Sequence, residues 1–176
     1  MLGFFAAVTV VWLTLRHEQR KRKDDLDSLR RSLAVELRIL IPQALSAYKS
    51  LHTLASSQSI TGRMVENFAY VQAPTVYPAS ASRIALLGND AMQIVIIYSL
   101  LGVARAGAER LIRSRDADNL DGRTVKALAV AFLKACEQSL TILSVLKTDV
   151  PEHDQRDALL IRAIQEEALK ANVPRS

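Results

Sequence analysis

The sequence predicts an all-α protein in which an N-terminal transmembrane helix continues into an antiparallel bundle of about four helices. Three observations predict this class: few turn-forming residues, an uncharged N-terminal segment, and apolar residues that recur at helical spacing. Six Gly and five Pro in 176 residues are too few for the many turns of a β-sandwich or a β-barrel. The length suits one ordinary domain.

The first fifteen residues predict a membrane anchor. Residues 1–15 carry no charged side chain, whereas residues 16–31 carry eleven. A cleaved secretory signal begins with basic residues and ends at a small-residue cleavage site, and this segment does neither. Fifteen helical residues span about 22 Å of a hydrocarbon core about 30 Å thick, so flanking Arg and Lys side chains must reach back to the headgroups. A buried core helix is the alternative interpretation.

The basic stretch at residues 16–25 predicts contact with a lipid surface and an orientation. Seven basic and four acidic side chains in residues 16–31 give a net charge of +3, out of +5 for the whole chain. Because Lys and Arg gather on the cytoplasmic side of a span, we expect residues 26–172 to be a cytoplasmic domain at a bacterial inner membrane that is crossed once. Anionic headgroups explain this charge better than nucleic acid does, since no aromatic residues are interleaved for base stacking. The predicted membrane-surface residues are Arg16, Arg20, Lys21, Arg22 and Lys23.

Leucines at spacings of three and four predict one long helix over residues 2–55. Charged residues lie between the leucines, among them Glu36 and Arg38, which leaves one apolar stripe on the helix. Pro42 is expected to disturb the helix because it removes an internal hydrogen-bond donor. The pattern favours the first helix of a bundle over a dimerising stalk. The stripe consists of Leu26, Leu29, Leu33, Leu37 and Leu40.

Short elements are expected after a polar break at residues 56–62. A short helix is predicted over residues 63–70. Pro74 and Pro78 are then expected to hold residues 75–77 extended, because a proline moves the residue before it out of the α region.

The most apolar internal run, residues 94–104, predicts a central helix that is buried on most sides. Eleven residues are too few to span a bilayer, so a second membrane span is disfavoured. Asp90 and Gln93 fit a weak capping box at the start of this helix. Before it, Ser80 is expected to cap a short helix that stops at Gly88.

Two further helices are predicted after an acidic break at residues 116–122. Asn119 or Asp121 is expected to cap a helix over residues 124–147. A calcium loop is disfavoured, because an apolar residue stands where the closing carboxylate is needed. Pro151 suits the first turn of the last helix.

No motif identifies a reaction, a cofactor or a metal. The three histidines, His17, His52 and His153, lie on separate segments and form no ligand spacing. Cys136 lies on the apolar face of its helix, which favours a buried, inert thiol over a nucleophile. We therefore expect no enzyme activity, no catalytic residue, no cofactor and no metal ligand.

The segment from Pro74 to Gly88 is the most distinctive in the chain. Tyr77 precedes a short helix that ends in Leu-Leu, and an apolar helix with Ile94, Val95 and Tyr98 follows. With an N-terminal span, a basic run and a Leu-x-x-Glu-Leu helix, it resembles a loose group of small bacterial single-pass inner-membrane proteins that have a cytoplasmic helical domain and an unknown function. Proline follows the tyrosine where that group usually has an acidic residue. The resemblance implies an inner-membrane protein and no particular activity.

Tyr77, Arg83 and Tyr98 are expected near the mouth of the bundle. One interpretation is structural: the rings pack and their hydroxyls bond to the backbone. The other is a small groove that receives a segment of a partner.

The sequence thus predicts a membrane-anchored scaffold or interaction protein that binds a protein partner at the cytoplasmic face of the membrane. Tethering would raise the effective concentration of that partner. One alternative is a signalling bundle, which needs an unbroken helix over residues 2–55. A less favoured one is a lipid-handling protein or an enzyme, which needs a cavity with converging polar groups. The expected partners are the bilayer with its anionic headgroups and a protein; nucleic acid is not expected, and a homo-oligomer stays open.

Overall fold

The computed structural model describes residues 2–114, 118–145 and 151–172, and every regular element within them is helical. The all-α prediction is therefore confirmed. The elements are α1 (Leu2–Leu54), α2 (Gly62–Phe68), α3 (Val76–Ala79), a 3-10 segment (Ala81–Leu87), α4 (Asn89–Ile112), α5 (Gly122–Val145) and α6 (Pro151–Asn172).

Helix α1 has the length that the leucine pattern predicts. Pro42 lies inside it and does not end it. The leucine stripe is packed into the core from Leu26 onward, whereas the side chains of residues 14–24 are exposed. About half of α1 therefore precedes the first residue of the core.

Helix α5 is the centre of the bundle, because it packs against α1, α4 and α6. The thiol of Cys136 lies 3.8 Å from the carbonyl oxygen of Ile41, and Gly122 lies against Ala55, so α5 runs antiparallel to α1. Arg38 of α1 bonds to Asp157 of α6, and Lys49, later in α1, pairs with Glu167, later in α6. The two helices therefore run in the same direction. The core thus forms around an apolar helix that has neighbours on three sides.

The prediction that residues 94–104 form a central helix buried on most sides is wrong, because α5 holds the central position. Helix α4 buries one face and leaves Met92 and Val103 exposed. The buried residues of α5, by contrast, span about half of its circumference, a wider arc than on α4, and α1, α4 and α6 pack against it. These residues are Val125, Leu128, Ala129, Phe132, Leu133, Ala135, Cys136, Ser139, Ile142 and Leu143.

Helix α4 has 24 residues and is, among the described helices, the only one long and apolar enough to cross a membrane. The apolar run of eleven residues understates its length, because the helix continues beyond the run at both ends. The core helix of a soluble protein can have the same length and apolar composition. A third of the apolar part of α4 is buried. Within the described residues, no N-terminal part of α1 has this length and apolar composition, so the predicted anchor at residues 1–15 rests on the sequence pattern.

Gly88 separates the 3-10 segment from α4, as predicted, with a φ of +62° that favours glycine. The two side-chain caps predicted around it are absent. Ser80 makes no capping hydrogen bond at the start of the 3-10 segment. Asp90 lies inside α4 and pairs with Arg30 of α1 at 3.7 Å, so this carboxylate joins two helices.

The caps of the last two helices are as the sequence predicts, although α5 begins at Gly122, two residues before the predicted start. Asp121 caps α5: one carboxylate oxygen accepts from the backbone N–H of Arg123 at 3.2 Å. Pro151 is the first residue of α6. The predicted end of the fifth helix at residue 147 lies outside the described residues.

We expect Gly122→Ala to lower the free energy of unfolding by about 1–3 kcal/mol, because a Cβ at this position meets immovable backbone. It would lie 2.5 Å from the carbonyl oxygen of Ala55. Urea unfolding of the full-length protein in mild detergent, followed by circular dichroism, measures the effect. Arg123→Ala, at the exposed neighbouring residue, should change stability by less than about 0.5 kcal/mol. Equal stability of the two variants would contradict the close contact.

Candidate functional site

Glu36 and Arg38 are the two charged residues in the otherwise apolar stretch of α1 from Leu33 to Ile41. Both side chains are largely buried: Glu36 is 7% exposed and the Arg38 side chain is 11% exposed. The buried arc of α1 is wider than the leucine stripe, because neighbouring elements cover both of its edges. The sequence carries one signal of this burial: two charged residues stand alone in an apolar stretch. Charges that are buried in this way need partners.

The carboxylate of Glu36 accepts five hydrogen bonds. One oxygen accepts from the backbone N–H and the hydroxyl of Thr75, at 2.5 and 3.2 Å, and from the N–H of Val76 at 2.7 Å. The other accepts from the N–H of Tyr77 at 3.0 Å and from the hydroxyl of Tyr98 at 2.7 Å. A single side chain of α1 thus binds the start of α3 and the middle of α4.

The prediction that residues 75–77 are extended is wrong, because Val76–Ala79 forms a helical turn. The first N–H groups of a helix have no partner within it, and here Glu36 accepts from them in place of a local cap. Pro78, the third residue of the turn, has no N–H to satisfy. A carboxylate about forty residues away in the sequence therefore overrides the local preference of the prolines.

The pKa of Glu36 reflects two opposing effects. Burial alone would raise it, but the hydrogen bonds from Tyr98 and from the three backbone N–H groups outweigh burial and lower the pKa below its ordinary value. Burial and the bond to Glu36 raise the pKa of the Tyr98 hydroxyl. At neutral pH the pair is therefore a carboxylate and a neutral phenol, and the hydroxyl is the donor.

Two of the three residues predicted for a partner groove lie together. The rings of Tyr77 and Tyr98 stack with centroids 4.1 Å apart and planes 10° apart. The Tyr98 hydroxyl bonds to a carboxylate rather than to the backbone, and its side chain is buried. Arg83 donates to the backbone carbonyl of Asp25 on α1 at 3.2 Å. The groove formed by these three residues stays a prediction.

A different groove lies between α1 and α6, and no sequence pattern singled it out. Val35 and Ile39 are exposed on α1, outside the leucine stripe and four residues apart. They border a cavity of about 380 Å³. The residues that line it, called here the α1–α6 groove, are Val35, Arg38, Ile39, Pro42, His153, Arg156, Asp157 and Leu160.

A forked ion pair lines the α1–α6 groove. Arg38 donates through Nε to both oxygens of Asp157, at 3.1 and 3.0 Å, and through Nη2 to one of them at 2.6 Å. The pair is almost fully buried and ties α6 to α1. Because Asp157 is engaged by Arg38, the charge left on the rim is that of the exposed Arg156, beside His153.

Val35 and Ile39 form a ridge with a hollow on each side. The second hollow, about 110 Å³, lies toward the chain between α2 and α3 and is bordered by Gln72 and Thr75. The N–H of Gln72 donates to the side chain of Gln43 at 2.8 Å, which fixes this segment against α1. The ridge is therefore accessible from both sides and backed by ordered structure.

The five predicted membrane-surface residues are all exposed on the part of α1 that precedes the core. The guanidinium of Arg16 lies 4.7 Å from the ring centre of Trp12, in a cation–π contact. Their binding of headgroups stays a prediction. They are Arg16, Arg20, Lys21, Arg22 and Lys23.

Cys136 is fully buried in α5, and burial raises the pKa of its thiol to about 12. The prediction of a buried thiol is confirmed. Across residues 2–114, 118–145 and 151–172, no three His, Cys, Asp or Glu side chains are grouped so that they could hold a metal ion.

We expect Glu36→Gln to lower the free energy of unfolding by about 2–4 kcal/mol. The NH₂ group of the glutamine would face backbone N–H groups or the Tyr98 hydroxyl, which are themselves donors. The wild-type carboxylate has a lowered pKa in the fold, so its contribution is fully present above the unfolded pKa of about 4.3 and is lost as pH falls through the folded pKa. The variant should therefore lose less stability than wild type between pH 5 and pH 3. Unfolding in urea across this range measures both effects.

Glu66→Gln is the matched control, since Glu66 is exposed on α2. It should leave both the stability at pH 7 and its dependence on pH close to wild type. A Glu36→Gln variant with the wild-type pH dependence would show that the fold does not lower the pKa of this carboxylate.

No protein-family model matches the chain, and no match was found among the curated proteins or the solved structures. The resemblance to small bacterial membrane proteins accordingly stays a prediction.

Proposed function

We propose that this protein is a membrane-anchored adaptor whose α1–α6 groove binds an acidic amphipathic helix of a partner protein at the cytoplasmic face of a bacterial inner membrane. The observation that carries the proposal is the exposed ridge of Val35 and Ile39 beside a cavity with a basic rim. Surface clefts with apolar walls and a few placed charges are the usual form of a binding site.

The shape of the groove favours a helix as the occupant. Val35, Ile39 and Pro42 are spaced by four and three residues along one face of α1, the spacing at which a second helix places its side chains. An amphipathic helix binds such a groove through apolar anchors one turn apart. The walls are fixed by the pair of Arg38 and Asp157, so the site is preformed and little ordering is needed on binding.

The charge of the groove favours an acidic partner. Arg38 is neutralised by Asp157, which leaves the exposed Arg156 as the charged side chain at the rim. A positive rim speeds the encounter with a negative segment and disfavours a basic one. The partner helix should therefore carry Asp or Glu beside its apolar face.

The anchor and the groove are proposed to lie on one continuous helix. Leu15 and Val35 are about 30 Å apart along α1, so the groove would stand clear of the headgroups and face the cytoplasm. The exposed basic residues between Arg16 and Lys23 would meet anionic lipids, and Trp12 would lie in the interfacial layer. This spacing favours a protein occupant over a lipid.

A signalling role is the second candidate. It requires an unbroken helix from the membrane segment into the bundle, and α1 runs from Leu2 to Leu54 without a break. A displacement of the N-terminal part would then reach the packed residues directly, which supports this alternative.

We expect a photo-reactive amino acid at Ile39 of the full-length protein in its native membrane to crosslink a partner through an acidic amphipathic helix. Arg156→Glu should reduce the crosslinked product at least tenfold, because it reverses the charge of the rim. Mass spectrometry of the product identifies the partner segment.

Arg162→Glu is the matched control, an equally charged change at an exposed residue of the same helix and outside the groove. It should leave the product unchanged. A product that survives Arg156→Glu, or one formed with lipid, would refute the proposed site.

We expect a fluorescent protein fused after Ser176 to be active, and alkaline phosphatase fused at the same place to be inactive, because the basic residues follow the anchor. Phosphatase activity in whole bacterial cells measures the orientation. An active phosphatase would place the domain outside the cytoplasm, and recovery of the fusion in the soluble fraction would exclude the anchor.

A further inference from the structure

The two walls of the α1–α6 groove run in the same direction. Arg38 of α1 pairs with Asp157 of α6. Later in both helices, Lys49 pairs with Glu167. The groove therefore has a near end, formed by the earlier residues of both helices, which faces the proposed anchor. Helix α5, which packs against α1 and α6 on their inner side, runs in the opposite direction.

The near end and the far end of the groove differ in charge. Arg156 is exposed at the near end, whereas Pro42 and Leu160 form the far end. Helix α6 also begins close to the near end, at Pro151, so the positive end of its dipole lies there. The acidic Asp154 is exposed but does not line the groove. The near end therefore favours a ligand group with negative charge.

The C-terminal end of a helix is such a group. Its last carbonyl oxygens have no partner within the helix, they accept hydrogen bonds from Arg side chains, and they form the negative end of the dipole. The N-terminal end of a bound helix would instead set a second positive dipole end beside Arg156. A helix in the groove is thus favoured with its C-terminal end toward the membrane, antiparallel to α1 and α6.

The small size of the groove favours a partner that is held in the same membrane. The cavity has about 380 Å³, and the exposed apolar part of its α1 wall consists of Val35 and Ile39. One helix laid along it buries less than the roughly 800 Å² per partner of a standard interface, so the contact alone is weak. Confinement of both proteins to one bilayer raises their effective concentration without any further contact.

We propose that the partner helix binds antiparallel to α1 and α6 and belongs to the cytoplasmic segment that precedes a membrane span of the partner. The inference rests on the proposed function and adds the direction of the helix and the class of the partner. Val35, at the near end, is about 30 Å from Leu15 along α1. An extended chain covers this distance with about nine residues, so at least that many separate the partner helix from its span.

Photo-crosslinking from the two ends of the groove measures the direction. A benzoylphenylalanine replaces either Val35 or Leu160 in the full-length protein in its native membrane. Mass spectrometry of each product then locates the attached residue of the partner. The two positions are about 9 Å apart along the groove, because they lie three residues before Arg38 and three residues after Asp157. The partner residue attached from Val35 should therefore lie about six residues C-terminal to the one attached from Leu160.

Leu159 provides the matched control. It is 67% exposed, precedes Leu160 directly and lies outside the groove, so benzoylphenylalanine at this position should not attach to the same partner segment. Arg156→Glu should reduce the products from Val35 and from Leu160 at least tenfold. Circular dichroism of each purified variant shows that it is folded.

Three results would overturn the inference. A reversed order of the attached residues would show a parallel helix and leave the proposed groove intact. A partner without a span after the attached segment, or with a link clearly shorter than nine residues, would exclude the class of partner. Absence of any product from folded variants, or products that survive Arg156→Glu, would refute the proposed function and this inference with it.

Discussion

An ionised carboxylate inside a helical bundle must have every one of its hydrogen-bond sites satisfied, and Glu36 imposes this requirement on three separate parts of the chain. Glu36 itself lies on α1, and its partners lie at the start of α3 and in the middle of α4. The helical turn at Val76, the stacking of Tyr77 on Tyr98 and the position of α4 beside α1 follow from it. Removal of the charge would leave donors from two elements without an acceptor.

The long helices were predictable from the sequence, and the buried charges were not. The limits of α1 and the starts of α5 and α6 depend on local features: leucine spacing, a capping aspartate and a proline in the first turn. The turn at Val76 and the burial of Arg38 depend on partners that are distant in the sequence; Asp157 is 119 residues from Arg38. Among the candidate sites, Tyr77 and Tyr98 were found from the sequence, whereas the α1–α6 groove required the position of α6.

The surface of α1 is divided among several neighbours. Its leucines pack on α5, Glu36 holds α3 and α4, and Arg38 holds α6. Around the circumference of α1, the side chains of Val35 and Ile39 lie between those of the two charged residues and are exposed. The elements on each side of this ridge are held in place by the contacts of Glu36 and Arg38. A small rearrangement therefore cannot cover the ridge. Its exposure is therefore a stable property of the fold, which is the reason for treating it as a binding surface.

The unbroken length of α1 has a mechanical consequence. Its 53 residues form a rod about 80 Å long, of which the last 29, from Leu26, are packed into the bundle. A helix held at one end by a bilayer acts as a lever. If a change in bilayer thickness tilted α1 by 10°, the end at Leu54, about 58 Å beyond Leu15, would swing by about 10 Å. Because the bundle is fixed to this arm, a small change of angle in the proposed membrane anchor would become a displacement as large as the width of a helix.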